Sequence, residues 1–256
     1  MSPPLDALRN RPIPPQAAAR AARMGYRRKI PLDTAHALYD EPLADAQAFG
    51  LAGENFYHSE RNPPYWQRID GSIPDLLIRK TVGEKLAMVN LRLRHAGLEL
   101  FLFDAYRPRA VQAYFHDHWA TAELKRHNPA LGGDALTAEV ERYWAAPTDD
   151  PMQPAPHSTG AACDLTVRLI GGDFLWMGSI FDDATPLAHR DRFEGAGGAM
   201  AFSDEEARAN RRLLHWAMAE QDFAGLPDEW WHFSWGDQMW AALGGHSNAH
   251  YGLAVA

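Results

Sequence analysis

The sequence predicts an α+β fold in which a largely antiparallel central sheet is flanked by helices. Three observations carry this. Helical and strand periodicities both occur along the chain, the strand-like runs are short and aromatic, and the two kinds of signal mix without regular βαβ alternation. Taken in order, residues 1–30 form a basic arm. Arg9, Arg11, Arg20, Arg23, Arg27, Arg28 and Lys29 stand there against Asp6 alone, among Pro3, Pro4, Pro12, Pro14 and Pro15. The arm has no apolar stretch of the roughly 7–15 residues a secretory signal needs. It reads as a solvated, partly disordered extension, with a transit peptide or a contact to an acidic partner as the other readings. Residues 31–256 then form a single domain.

Within that domain Leu86, Val89, Leu91 and Leu93 mark an amphipathic helix from about Gly83 to His95. After Gly97, the run Leu98–Asp104 reads as a buried strand, and Pro108 opens a helix from about Arg109 to Ala122. Four prolines between Pro147 and Pro156 require a loop. A strand follows through Ile170. Alternation puts Asp164, Thr166 and Arg168 on one of its faces and Cys163, Leu165, Val167 and Leu169 on the other. Gly171-Gly172 turns the chain toward Asp173–Met177 as a hairpin partner, and Gly195–Gly198 reads as a flexible loop. Ser203-Asp-Glu-Glu206 has the form of a capping box opening a helix to about Glu220. The aromatic run Glu229–Trp235 is the last core strand.

Composition narrows the function classes. The 256 residues carry 25 basic and 33 acidic side chains, a net charge of −8. Because the arm alone carries +6, the other 226 residues total −14, which argues against a nucleic-acid surface. No apolar run exceeds five residues, whereas a membrane span needs about 20. One cysteine, Cys163, excludes an internal disulfide. The expectation is a soluble cytoplasmic protein of open oligomeric state, with neither nucleic acid nor membrane as partner.

Two short patterns carry chemistry. His157 and Asp164 are spaced so that a loop histidine and a strand aspartate can face one ion, with Gly160-Ala161-Ala162 allowing close backbone passage. Glu229 and His232 lie among tryptophans, where burial is expensive unless they serve each other or a metal. For both to reach one site, Glu229 must sit on the bend before the strand; an exposed acid beside a satisfied core histidine is the other reading. Together they offer three ligands, an open position and a spare glutamate base. Arg107, at the end of a buried strand, is either a cation for a developing oxyanion or the ion-pair partner of Asp104. Cys163 faces the core, His116 and His118 do not share a helix face, and His246 and His250 read as surface; His189 lies between a surface and a supporting role.

The stretches Phe103–Pro108, His157–Thr166, Met177–Asp182, Asn210–Leu214 and Glu229–Phe233 resemble, in order, the zinc D-alanyl-D-alanine dipeptidases. That family includes the vancomycin-resistance dipeptidase and is related to the D,D-carboxypeptidases and the hedgehog domain. The resemblance implies one zinc per chain held by His157, Asp164 and His232, and Glu229 as the base for the attacking water. It implies Arg107 stabilising the tetrahedral intermediate, Asp182 holding the amino group of a small dipeptide, and Asp104 and Tyr106 holding Arg107. Ala155 stands where members often have a serine, and Gly50 where they often have a tyrosine, so the expected substrates are D-Ala-D-Ala or similar dipeptides. A peptidoglycan D,D-carboxypeptidase and a non-catalytic zinc domain are the alternatives; a retained base and oxyanion partner favour catalysis.

Overall fold

The computed structural model describes residues 4–195 and 200–254. Most of the Gly195–Gly198 segment therefore lies outside the described residues. The chain opens with α1 (Leu5–Asn10), α2 (Ala17–Ala22) and α3 (Tyr26–Lys29), then β1 (Leu43–Asp45), β2 (Ala52–Gly53) and β3 (Leu77–Arg79). Next come α4 (Lys80–Arg94) and β4 (Leu98–Asp104). α5 (Arg109–Tyr114), a π-helical turn at Phe115–Trp119 and α6 (Ala120–His127) run on from one another, followed by α7 (Gly133–Tyr143). β5 (Ala162–Leu169), α8 (Phe202–Ala219), β6 (Ala224–Gly225), β7 (His232–Ser234) and α9 (Gln238–Gly244) complete the order.

The central sheet has the order β2-β4-β5-β7-β6. Only β2 and β4 run parallel; the other neighbours are antiparallel, and β1 pairs with β3 in a separate two-stranded ribbon. The α+β reading is thus what the chain adopts. The alternation in β5 holds from Cys163 to Val167, with Cys163, Leu165 and Val167 fully enclosed, whereas Leu169, expected on the same face, is 51% exposed at the strand's end. They share one core with Leu100 and Leu102 of β4 and with Val82, Leu86, Val89 and Leu93 of α4. Leu91, counted on that face by spacing, instead points outward at 54% exposure.

A single irregularity in the ladder decides what the sheet can do. Along most of β4 the register follows Leu98↔Leu169 through Leu102↔Leu165, but Asp104 then pairs with Asp164, because the register shifts between Leu102 and Asp104. Unshifted pairing would set Asp104 opposite Cys163, on the core face. The bulge moves it to the other face, where Asp164 in turn pairs with His232. Asp104, Asp164 and His232 therefore form one row across three strands.

Several local expectations need correction. α8 starts at Phe202 with Ala201 as its N-cap and no side-chain capping bond, so the Ser203 capping box does not form. Ser203 lies inside the first turn, while Asp204 and Glu205 still sit favourably at the positive end of the helix. The hairpin after Gly171-Gly172 is reduced to an Arg168–Phe174 bridge flanked by a Leu169 N–H to Asp173 O bond of 3.0 Å and a Leu175 N–H to Val167 O bond of 2.9 Å. The last core strand spans only His232–Ser234. His246 and His250 are half-buried, stacked on Trp240 and His36.

The arm differs most from its expectation. Its described part folds into α1 to α3 and buries Leu8, Ile13 and Tyr26. Its arginines find acceptors far along the chain. Arg9 bonds Asn210 and Glu206, Arg20 bonds Asp191 and Asp228, and Arg23 pairs with Asp228. The excess of positive charge on the arm is matched by carboxylates of the acidic remainder. No helix among the described residues is long and apolar enough to cross a membrane.

Candidate active site

The row across the sheet is completed from both ends. A 3-10 turn, Pro156–Thr159, brings His157 to the mouth of β5, and the turn before β7 carries Glu229. Glu229 thus sits on the bend that its spacing from His232 requires. His157 Nε2 lies 3.3 Å from Asp164 Oδ2 and 3.1 Å from His232 Nδ1; His232 Nδ1 lies 3.1 Å from Asp164 Oδ1. The ligand atoms of these three buried residues all fall within 4.8 Å of one another. Asp164 Oδ1 is enclosed and has no hydrogen-bond partner among the described residues. A buried carboxylate oxygen in that condition is costly, and a cation among the three donors would satisfy it.

The orientation of both rings is set from behind. His157 Nδ1–H donates to Ala105 O at 2.8 Å, which leaves Nε2 as the lone pair facing inward. His232 Nε2 lies 3.3 Å from Ser234 Oγ, and that hydroxyl donates to Asp237 Oδ2 at 2.9 Å, which turns Nδ1 inward. Burial holds the His232 imidazole down, at about 4, against the pull of Asp164. Asp164 is itself held well below the carboxylate range; burial would raise it, but His157 and then His232 prevail.

Arg107 follows β4 and is 4% exposed. Its Nε donates to Asp104 Oδ2 at 2.9 Å, one terminal nitrogen to Gln112 Oε1 at 3.1 Å, and the other to Tyr57 Oη and Asp164 Oδ2, each at 3.1 Å. The Asp104 ion pair and a place beside the ligand set are therefore both real features of this arginine. Tyr106 is half-buried and its hydroxyl makes no hydrogen bond to Arg107. Its expected holding role falls to Gln112 and Tyr57, both of which reach the guanidinium from other segments.

Glu229 Oε2 lies 3.7 Å from His232 Nδ1. Burial first, then Asp164 and Asp182, raise its carboxyl well above the ordinary range. Asp182 adopts a left-handed φ of 58° and accepts from Tyr57 Oη at 2.8 Å and Tyr65 Oη at 2.7 Å, both at Oδ2. Burial and the nearby Asp164 push it up to about 7. These residues open into one cavity of about 300 Å³, at the small end of ligand pockets, which run about 300–1,000 Å³.

Tyr57, Tyr65, Gln112, Ser234 and Asp237 were not marked by any local pattern. Tyr57 immediately follows Asn55-Phe56, and only the closure of its loop on Asp182 reveals its use. His189 reaches Tyr143 and Asp228, at 3.4 and 3.7 Å, rather than the donor set. Cys163 is buried on the core face with its thiol near Phe233 O, as its strand parity requires.

Comparison with known proteins agrees with this geometry. The Peptidase_M15 family model, described as D-ala-D-ala dipeptidase, matches residues 72–250. A D-alanyl-D-alanine dipeptidase of Synechocystis is 36% identical over 217 residues, covering 78% of this chain and 84% of that protein. One from Streptomyces coelicolor is 32% identical over 182 residues, covering 66% and 81%. One from Escherichia coli is 30% identical over 138 residues, covering 54% and 55%. With three ligand-type side chains converging where the family motifs lie, the chain belongs to the M15 peptidases of the D-ala-D-ala dipeptidase family.

Proposed function

We propose that residues 31–256 form a zinc-dependent dipeptidase domain that hydrolyses D-Ala-D-Ala or a similar small dipeptide. The observation that carries this reading is the convergence of His157, Asp164 and His232 on one point, with an unsatisfied Asp164 oxygen and Glu229 beside it. Zinc bonds of about 2.0–2.2 Å at tetrahedral angles hold donor atoms about 3.3–3.6 Å apart, close to the 3.1–3.3 Å separations found. Charge supports the fit. Asp104, Asp164, Asp182 and Glu229 are all buried around the single guanidinium of Arg107. A divalent ion would offset the negative charge gathered there, and a substrate ammonium would offset more of it. When bound, zinc supplies Lewis acidity, polarising the scissile carbonyl and acidifying water.

The chain's own groups do the rest. Glu229, close to His232 Nδ1 and kept in a water-poor site, takes a proton from the attacking water and delivers it to the leaving amine. Arg107, fixed on Asp104 and Gln112, faces negative charge that develops on the carbonyl oxygen. Asp182 uses Oδ2 for two tyrosine hydroxyls, and Oδ1, without a partner among the described residues, receives the substrate's ammonium. The cavity is small enough to favour a dipeptide over a longer stem.

The test is a pair of assays with metal analysis. Free D-Ala-D-Ala should be hydrolysed, an N-acylated tripeptide should not, and activity should vanish with the zinc on chelation and return on its addition. Cleavage of the tripeptide alone would make the protein a carboxypeptidase. Activity that survives removal of the metal would end the zinc reading.

A further inference from the structure

Glu229 is carried on a short bend whose main chain is tied on both sides of Asp228. Arg190 N–H donates to Pro227 O at 3.0 Å, Trp230 N–H to Ala188 O at 3.0 Å, and the Arg190 guanidinium to Glu229 O at 3.0 Å. Asp228 itself is held differently. Its N–H and carbonyl make no hydrogen bond among the described residues, so its side chain is what fixes it. That carboxylate is buried, and the arm takes both of its oxygens. Arg20 Nε donates to Oδ1 at 2.8 Å, and an Arg23 terminal nitrogen lies 3.1 Å from Oδ2. His189 Nε2, at 3.7 Å, stands beyond hydrogen-bonding distance.

The same two arginines reach past Asp228. Arg20 grips Asp191 with two nitrogens, at 2.8 and 3.2 Å, and Asp191 is next in the chain to Arg190. Arg23 lines the cavity and donates to Arg142 O at 2.7 Å and Glu141 O at 3.1 Å, in the last turn of α7. Arg20 and Arg23 thus cross-link the bend to two segments beside it. Any movement of Asp228 away from them would leave a buried carboxylate unpaired, so the link resists displacement. A general base depends on such precision, because a misplacement of about 1 Å can cost about 10² in rate. We propose that Asp228, Arg20 and Arg23 are positioning residues for Glu229, so that the arm sets the geometry of the base. The inference rests on the reading of Glu229 as that base.

The experiment measures zinc content, melting temperature, kcat and KM on D-Ala-D-Ala for the zinc-loaded wild type, Asp228→Asn, Arg20→Gln, their double variant and Arg9→Gln. Arg9 is the control. It belongs to the same arm, but it pairs with Glu206 and Asn210 on α8 and touches none of the groups above. With every assay run below the lowest melt, Asp228→Asn and Arg20→Gln should keep their zinc and lose kcat about tenfold. KM should stay within about twofold, because the base acts in the transition state and not in ground-state binding. In the Asp228→Asn background, Arg20→Gln should cost kcat nothing further, since both act through one contact. Arg9→Gln should move the melting temperature alone. Should Asp228→Asn fail to fold, Arg20→Gln set against Arg9→Gln decides, as the Arg20 side chain is 33% exposed. A wild-type kcat in zinc-loaded Asp228→Asn and Arg20→Gln, or an equal loss in Arg9→Gln, would overturn the inference. The dipeptidase reading would survive that result as long as Glu229→Ala lost activity in the same assay. A Glu229→Ala variant with the wild-type rate would overturn the base assignment and the inference together.

Discussion

Arg107 and Arg190 are equally well hidden, 4% and 2% exposed, and both touch the segments that carry the donor set. Their surroundings are opposite. Arg107 sits beside Tyr57 and among Asp104, Asp164 and Asp182; the neighbouring carboxylates outweigh its burial and keep it above its ordinary range. Among the described residues, Arg190 has no carboxylate in hydrogen-bonding contact. It donates to the carbonyls of Leu226, Glu229 and His232, at 3.0, 3.0 and 2.9 Å, and lies over the Phe233 ring. Burial pulls it down to about 9. A Cβ on Gly225 would overlap its guanidinium, so β6 lies against this arginine because that residue is glycine. One arginine faces the chemistry and balances charge there. The other ties together the backbone that presents the base and the third ligand.

The ligand row gives the largest effects. Asp164→Ala should lose the metal and with it all activity, whereas Glu229→Ala should retain metal and lose kcat by about 10²–10⁴, as general-base removal does. Metal content measured beside kcat distinguishes them, and an empty Glu229→Ala site would exchange the ligand and base assignments. On the chemical side of the comparison, Arg107→Ala should keep zinc and lower kcat by about 10²–10³, the usual cost of one oxyanion donor. A normal kcat would reduce Arg107 to a partner of Asp104.

Arg190→Met should act differently, because it removes a donor from three backbone carbonyls, of which Leu226 O and His232 O keep a backbone N–H and Glu229 O keeps none. The expected loss is about 2–3 kcal/mol, or a fall in Tm of about 5–10 °C. A kcat reduced about tenfold should accompany it as the Glu229 segment loosens, with KM little changed. Thermal melts and steady-state kinetics on the same preparation check both. If Arg190→Met melted like the wild type, the support attributed to this arginine would be wrong.

The same contrast shows what was readable in the chain. His157, Asp164, Glu229 and His232 lie in two short stretches, and the strand containing Asp164 announces its faces by alternation. Leu98–Asp104 was legible to the residue because a glycine and an apolar aromatic run bound it. The bulge that turns Asp104 toward the site was not, since one extra residue in a ladder is a property of the pairing. The arm misled for a related reason. Its own segment contains almost no carboxylates, and Arg20 reaches Asp228 across 208 positions. Arg190 had no local signal either, since its acceptors are main-chain carbonyls that any sequence provides.

The last effect concerns what stands behind Arg190. His215 Nδ1 lies 3.5 Å from an Arg190 terminal nitrogen. Burial, then the charges of Arg190 and Arg11, hold this imidazole down at about 3. An unfolded histidine titrates near 6.5. Between those values the unfolded chain binds a proton that the folded chain refuses, so His215 makes stability fall as pH drops from about 6.5 toward 3. Above about 6.5 both states are neutral, and it contributes no slope. The limit for one such proton is about 1.4 kcal/mol per pH unit. Asp182 and Asp237, raised to about 7 and about 6, act in the opposite sense, favouring the folded state as pH falls through that range. The clean measurement is therefore a difference. Chemical denaturation of wild type and His215→Gln from pH 7 to 4.5 should show the wild type losing more stability on acidification. Parallel curves would mean that the imidazole is already protonated beside Arg190, and that this arginine tolerates a second cation.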